Sequence, residues 1–397
     1  MIQQISGILF LTTLLFIIIF SYFDKKKKRK KITNPLVSFV IPCYNDEGSL
    51  QETIESIYDV AGTRVDLIVI NDKSTDASRF IIEKLQKKYA FTFVENEKNL
   101  GKSQSLNIHS DLAKHDIIFF VDADVIVNKK SFSDALNRLG PNNVGAVSCP
   151  YIPQNKGFIP LMQHIEYNML SLVQWSYNLF SAIALWGGFI AIKKKAFLQV
   201  GKFSLNAITE DMDLAFKLNE NGWKVEQSFS PIKTYVPDSI KKWLKQKMRW
   251  SGGGFQCFIK HYKIWLKNPI HIFFIFSYCI FISSAALALV KNLLAFNNII
   301  NYFSFINETL SLLVSLKLTG LLYGTLIIKD LLWMVAFTFF SLPLVLPLIK
   351  EYKHIYRIFL VIPFSIIYIP FFSIISVWGI ISFLYNYKKI EKGSRSW

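Results

Sequence analysis

The sequence predicts an α/β domain, with a parallel sheet and helices on both faces, joined to an α-helical membrane region that carries interfacial helices. Three observations predict it. Strand and helix patterns alternate four times between residues 37 and 122, with short links. Long uncharged apolar stretches stand on either side of a polar block of about 240 residues, long enough for a core of its own. The mean hydropathy is positive and 52% of the residues are apolar, and 16 of the 35 phenylalanines fall in those stretches.

The first element, residues 5–23, is 19 residues without a charge. At about 1.5 Å per residue it can cross a hydrocarbon core of about 30 Å. Its basic residues follow the apolar run and no small-residue cleavage site appears, so an anchor is expected rather than a signal peptide. Residues 25–31 are seven consecutive Lys and Arg. The positive-inside bias then puts the N-terminus outside and the polar block in the cytoplasm. That run supplies much of the net charge of +17 and suits anionic lipid headgroups, so the lipid bilayer is the expected partner and nucleic acid is not. Cys43, Cys149, Cys257 and Cys279 have neither metal nor disulfide spacing, and free thiols are expected in a reducing compartment.

Within the block, residues 37–41 form the first expected strand. A helix follows at 47–58, with Leu50, Ile54 and Ile57 on one face and Asp46 able to cap it. Residues 65–71 are the second strand and 76–89 the second helix, patterned by Phe80, Ile81 and Leu85. Residues 91–95 are the third strand, 101–114 the third helix and 117–122 the fourth strand. In such sheets ligands sit beyond the carboxyl ends of the strands. Tyr44, Asn45 and Asp46, then Asp72, then Asp122 and Asp124 all follow strands. Asp122 and Asp124 are two apart, which on a strand turns them to one side. They suit one hard cation, Mg²⁺ or Mn²⁺, completed by water and phosphate oxygens. Two turn-forming aspartates closing a strand are the plainer alternative.

Further along, Thr209 can cap a helix over 210–221, placing Asp211 in a first turn where the helix dipole favours a charged carboxylate. Gln246, Arg249 and Trp250 fall at i, i+3 and i+4, one helix face. Trp243 and Trp250 there also suit interfacial anchors, and residues 157–184 read as an interfacial helix. After residue 269 come apolar stretches at 270–290, 331–349 and 358–384, the last with Pro363 and Pro370; 310–328 has the length but carries Lys317.

The segments "VSFVIPCYND", "VINDKSTD", "NLGKSQSLN", "VDADV", "ITEDMD" and "QKMRW" occur in the order of family 2 glycosyltransferases. The last resembles the Q-x-x-R-W motif of membrane-embedded processive synthases of cellulose, chitin, hyaluronan and poly-N-acetylglucosamine. The resemblance covers about residues 37–254. It implies a GT-A, Rossmann-like catalytic domain and a UDP-sugar donor. Tyr44, Glu47 and Asp72 would lie on the uridine side and Lys102 at the diphosphate, helped by the N-terminus of its helix. Asp122 and Asp124 would hold the metal. In the T-E-D segment Asp211 would be the catalytic base, with Glu210 beside it. Gln246, Arg249 and Trp250 would complete the nucleotide-sugar site, and Trp250 the acceptor site. Trp186, Gly187 and Gly188 stand where relatives line the acceptor site, with Trp186 a departure from their small residues.

The implied layout is an N-terminal transmembrane helix (1–24), a basic linker (25–36), the catalytic domain (37–235), an interfacial region with Q-x-x-R-W (236–268), three or four spans (269–387) and a basic tail (388–397). No nucleotide-sensing domain is expected after it. The expected protein is a multi-pass enzyme of the cell membrane, catalytic domain cytoplasmic. It would transfer a sugar, N-acetylglucosamine by overall likeness, with inversion to a growing β-linked polysaccharide acceptor and export the product, with room for a small membrane or export partner subunit. The alternative is a non-processive transferase that adds one sugar to a membrane lipid.

Overall fold

The structure is a computed structural model, and it describes residues 19–20, 22–24, 36–62, 65–178, 180–182, 184–267, 360 and 363–391. The chain divides into two compact units, residues 14–269 with 379–397, and residues 1–13 with 270–378. In the second of these the described residues form a π-helical turn, Phe364–Tyr368, and the start of a helix, Ile369–Glu391. The apolar stretches expected at 270–290, 310–328 and 331–349 lie outside the described residues, and those at 5–23 and 358–384 do so in part. Among the described residues no helix is long and apolar enough to cross a membrane.

The first unit is the α/β domain. Apolar and β-branched runs form β1 (Ser38–Cys43), β2 (Asp66–Asn71), β3 (Thr92–Glu95) and β4 (Ile117–Val121). Between them lie helices α1 (Leu50–Ala61), α2 (Ser78–Gln86) and α3 (Lys102–His109). Then come β5 (Val125–Ile126), α4 (Lys129–Leu139), β6 (Val144–Ser148), β7 (Tyr151–Pro153), α5 (Phe158–Tyr177), β8 (Phe189–Lys193) and α6 (Lys194–Gln199). The unit continues with α7 (Glu210–Glu220), β9 (Lys224–Gln227), β10 (Ile232–Thr234), α8 (Ile240–Lys260) and α9 (Tyr262–Lys267). The helix Ile369–Glu391 is α10.

Seven strands order as β3-β2-β1-β4-β8-β6-β9, and β5-β10-β7 form a small second sheet. Strands β3, β2, β1 and β4 are parallel. The sheet is not wholly parallel, however: β8 runs antiparallel to both β4 and β6. This reversal pairs Phe189 at the start of β8 with Val121 at the end of β4. It carries the turn before β8 to the carboxyl edge of the parallel strands, where Asp122 donates its backbone N–H to Gly188 O at 3.0 Å.

Helices cover both faces. Ile54 and Ile57 of α1, Leu85 of α2 and Leu136 of α4 pack on one side with Phe39, Phe119 and Phe189. Leu106 of α3, Phe197 of α6 and Leu214 of α7 pack on the other with Phe120. Several local expectations change. Asp46 does not cap α1 with its side chain, because that carboxylate accepts from Tyr44 N–H at 2.9 Å. Ile82, rather than the exposed Phe80, fills the core from α2. Thr209 stands at the start of α7 without a side-chain capping bond, its hydroxyl instead lying against Cys257. Trp243 is buried in the protein, not free to anchor in headgroups. Cys43, Cys149 and Cys257 are buried free thiols, and Cys279 lies outside the described residues.

Candidate active site

A crevice opens at the carboxyl edge between β1 and β4, where the strand order reverses. It is lined by Tyr44, Asp46, Asp72, Lys102, Asp122 and Asp124, with Pro42, Cys43 and Ala123 between them. Asp122 and Asp124 do not lie on a strand. They sit in the turn between β4 and β5, closed by Val125 N–H donating to Asp122 O at 3.1 Å. The turn, not strand alternation, brings both side chains into the crevice.

Asp72 is buried and uses both carboxylate oxygens on its own chain. Oδ1 accepts from Asn96 Nδ2 and Leu100 N–H at 2.7 and 2.8 Å, and Oδ2 from Gly101 N–H at 2.7 Å. It thereby fixes the loop that starts α3. Gly101 has φ +79°, a conformation glycine adopts without strain. Glu47 lies outside the crevice lining: its carboxylate accepts from Ala77 N–H at 2.8 Å at the head of α2. Tyr44 is half exposed at the crevice mouth.

Lys102 is the hub. Its Nζ lies 2.6 Å from Asp122 Oδ1 and 3.4 Å from Glu210 Oε1, and it donates to Gly187 O at 3.2 Å. Burial opposes its charge, but Asp122 and Glu210 outweigh it and hold the ammonium well above its ordinary pKa. Gly187 N–H in turn donates to Asp211 Oδ2 at 2.9 Å, and Met212 N–H donates to Asp211 Oδ1 at 2.8 Å. A Cβ on Gly187 would stand 2.7 Å from Asp211 Oδ2. The helix dipole does not govern Asp211: burial, then the Glu210 charge beside it, push its carboxyl up to about 6. Glu210 behaves oppositely, held below the usual carboxylate range, against burial, by Lys102 and Arg249. Arg249 is exposed and donates to Ile208 O at 3.3 Å, just before the T-E-D segment.

An aromatic wall stands behind this turn. Trp186 is buried, with Tyr151 at 4.5 Å and Tyr167 at 5.4 Å between ring centroids, both edge-on. Trp250 lies 6.1 Å from Tyr167. The Tyr151 hydroxyl accepts from Gly188 N–H at 2.5 Å, so a side chain on Gly188 would collide with it. Gln246, in the same helix, is partly buried with its Oε1 unpartnered among the described residues. Tyr151, Tyr167 and Lys247 were not singled out by sequence, and Glu166 stood out only as one of the polar residues, with His164, Gln174 and Asn178, that interrupt the apolar segment 157–184. They come from β7, α5 and a variable position of the Q-x-x-R-W segment, and the one local signal was a charged and polar interruption of an apolar helix.

The donor set suits a hard divalent cation. Burial, then the neighbouring Asp122 and Asp46, push Asp124 up to about 7, and burial also raises Asp122 and Asp46. Four carboxylates, Asp46, Asp72, Asp122 and Asp124, thus line the crevice, and Lys102 is the one cation among its described lining residues. Among the described residues no group of three or more His, Cys, Asp or Glu is arranged to hold a metal by itself. Asp122 and Asp124 would hold it together with phosphate oxygens and water.

A model of the family described as glycosyl transferase family 2 matches residues 38–201. Poly-beta-1,6-N-acetyl-D-glucosamine synthase of Staphylococcus aureus (strain MSSA476) is 27% identical over 246 residues, 59% of this chain and 59% of that protein. The protein of the same name from Staphylococcus epidermidis is 28% identical over 237 residues, 58% of each. The match thus spans less than two thirds of these relatives. Among solved structures, mannosyltransferase PcManGT from Pyrobaculum calidifontis, in complex with GDP-Man and Mn²⁺, superposes with a TM-score of 0.53 at 20% identity, over 66% of this chain and 76% of that one. The likeness is one of fold: a GT-A, Rossmann-like α/β domain.

Proposed function

We propose, from the premise that residues 38–201 are a family 2 glycosyltransferase domain, that the chain transfers N-acetylglucosamine from a UDP-sugar to a growing β-linked polysaccharide, with inversion and with a divalent metal. The observation that carries this reading is one linked set of contacts. Lys102 joins Asp122 to Glu210 and to Gly187, and Gly187 holds Asp211. The names of the relatives support the sugar and the polymer.

The crevice over Tyr44, Asp72 and Lys102 takes the nucleotide diphosphate, with the positive end of α3 beneath it. A divalent cation held by Asp122 and Asp124 would supply Lewis-acid neutralisation of the leaving diphosphate. Lys102 adds a second positive charge there, while Glu210 keeps Lys102 pointed at the crevice. Asp211, ionised above about pH 6, takes the proton of the acceptor hydroxyl as that oxygen attacks the anomeric carbon. The bond to UDP breaks as the new bond forms, so an α-linked donor yields a β-linked product. Trp250 and the wall behind it support the acceptor ring. Asn at 211 keeps the shape but cannot accept the proton. Asp211→Asn should therefore bind UDP within a few-fold of wild type and lose about 10²–10⁴ in transfer. Parallel loss of UDP affinity would remove Asp211 from the role of base.

The same reading places the enzyme in the cell membrane, multi-pass, with residues 37–235 cytoplasmic and 236–268 at the interface. The uncharged stretch at 5–23, the basic run at 25–31 and the apolar stretches after 269 support this. Export of the polymer between those spans follows from the likeness to processive synthases.

A further inference from the structure

Lys247 of α8 is fully buried, 0% exposed. An ammonium in such a place is costly unless it is paired. Its partner is Glu166 of α5, with Nζ 2.8 Å from Oε1 and both side chains at most 1% exposed. The same ammonium stands 4.1 Å from the centroid of the Trp250 ring and 5.2 Å from that of Tyr167. Burial lowers the pKa of Lys247, and Glu166 opposes that. A buried pair of this kind is a poor source of stability, since well-packed apolar residues of the same volume serve as well. What it does supply is geometry: a fixed cation against the face of an aromatic ring, and one register between α5 and α8.

The ring it holds is not isolated. Tyr167 contacts Trp250 on one side and Tyr151 and Trp186 edge-on on the other. Tyr151 accepts from Gly188 N–H, and the preceding residue, Gly187, donates to Asp211. One continuous set of contacts therefore runs from the buried charge through the aromatic wall to the backbone that holds the base. We infer that Glu166 and Lys247 are positioning residues, which set Trp250 and Tyr167 as a wall for the acceptor sugar and so place its hydroxyl against Asp211. This rests on the transferase reading above. Neither residue touches the donor crevice, whose lining comes from other segments.

The test uses the full chain in detergent with UDP-N-acetylglucosamine, Mg²⁺ and a β-1,6-linked N-acetylglucosamine pentasaccharide as acceptor. The double variant Glu166→Gln/Lys247→Met removes both charges at similar volume, which keeps the fold where a single change would strand one charge. Its KM for the pentasaccharide should rise about tenfold, the scale of one desolvated cation–ring contact, and its polymer should shorten. Its UDP affinity and its slow UDP release without acceptor should stay at the wild-type level. Lys247→Arg, which can keep both the pair and the ring contact, should restore the KM. A double variant with the wild-type pentasaccharide KM and polymer length would overturn the inference, as would equal losses of donor affinity and acceptor use. Failure of the transferase reading is distinguishable, because there the wild-type chain itself would transfer nothing to the pentasaccharide.

Discussion

Gly187 has no room for a side chain, because the Asp211 carboxylate occupies the space a Cβ would need. Its N–H is one of two that orient that carboxylate. Gly187→Ala should therefore displace the base without touching Asp122 or Asp124. Transfer should fall by about 10²-fold, the usual cost of a misplacement near 1 Å, while UDP binding measured by titration stays within a few-fold. Equal losses in both would mean that the turn supports the donor crevice instead. Asp211 also sets the pH profile. Its carboxyl is raised to about 6 by burial and by Glu210, and only the ionised form accepts a proton. At saturating metal, which keeps Asp122 and Asp124 ionised, transfer should be flat above about pH 6.5 and fall near tenfold per unit below about pH 5.5. A profile with no acid limb until pH 4 would contradict the burial of this group. Asp72, Asp122 and Asp124 were legible as crevice residues because they follow strands, whereas Asp211 was marked only by its place in the T-E-D segment. Their environment was not legible: the first turn of a helix suggests a depressed carboxyl, and only the burial of Asp211 and the Glu210 charge beside it show the reverse. Glu47 illustrates the same limit, since nothing local indicates that its carboxylate is taken by Ala77 N–H.

Helix α7 carries Asp211, the proposed base, and it is fastened from behind. Asp213, two residues beyond Asp211 and 1% exposed, meets Lys260 Nζ at 2.6 Å, His261 Nε2 at 3.0 Å and the Ser204 hydroxyl at 2.5 Å. His261 reaches Glu220 with its other nitrogen at 3.0 Å, so the end of α8 clamps both ends of α7. Thr209 packs against Gly253, where a Cβ would collide with it. These three hydrogen-bonding partners, against burial, hold Asp213 well below the usual carboxylate range. A depressed folded pKa adds stability that is present above the unfolded value near 3.8 and lost as pH falls. Asp213→Asn should cost about 3 kcal/mol at pH 7, read as a lower unfolding temperature of the detergent-solubilised chain. The gap from wild type should narrow below about pH 4. A constant gap across that range would show that shape, not charge, is what α7 loses. Periodicity and apolar patterning located α1, α2, α3 and α7 to within a few residues, and the i, i+3, i+4 spacing of Gln246, Arg249 and Trp250 marked α8 without its bounds. They could not supply the tie between α7 and α8, which joins residues 47 or 48 apart, nor the loss of the Thr209 cap to a contact with Cys257.

The α/β unit was the most legible part of the molecule, since alternating β-branched runs and amphipathic helices through residue 122 fix a parallel sheet with ligands at its carboxyl edge. The antiparallel return of β8 was not legible, because a short apolar run has no direction of its own. That return matters most for function, since it brings Trp186, Gly187 and Gly188 beside Asp122. The N-terminal segment is tied to the same unit by Asp24, buried against Arg138 at 3.0 Å and Asn178 at 2.9 Å. At the other end, α10 approaches α8 so closely at Gly379 that a Cβ would meet Met248 O at 2.7 Å. The helix of the Q-x-x-R-W segment thus meets α7 through Gly253 and Thr209, and α10 through Met248 and Gly379. The most direct test of the whole account is to give the purified full chain UDP-N-acetylglucosamine with and without Mg²⁺ or Mn²⁺ and to follow UDP release and product mass together. The account predicts UDP release only with the metal, accompanied by a high-mass β-linked polymer. UDP release that persists in excess chelator, or a product that stops at a single sugar on a lipid, would contradict it.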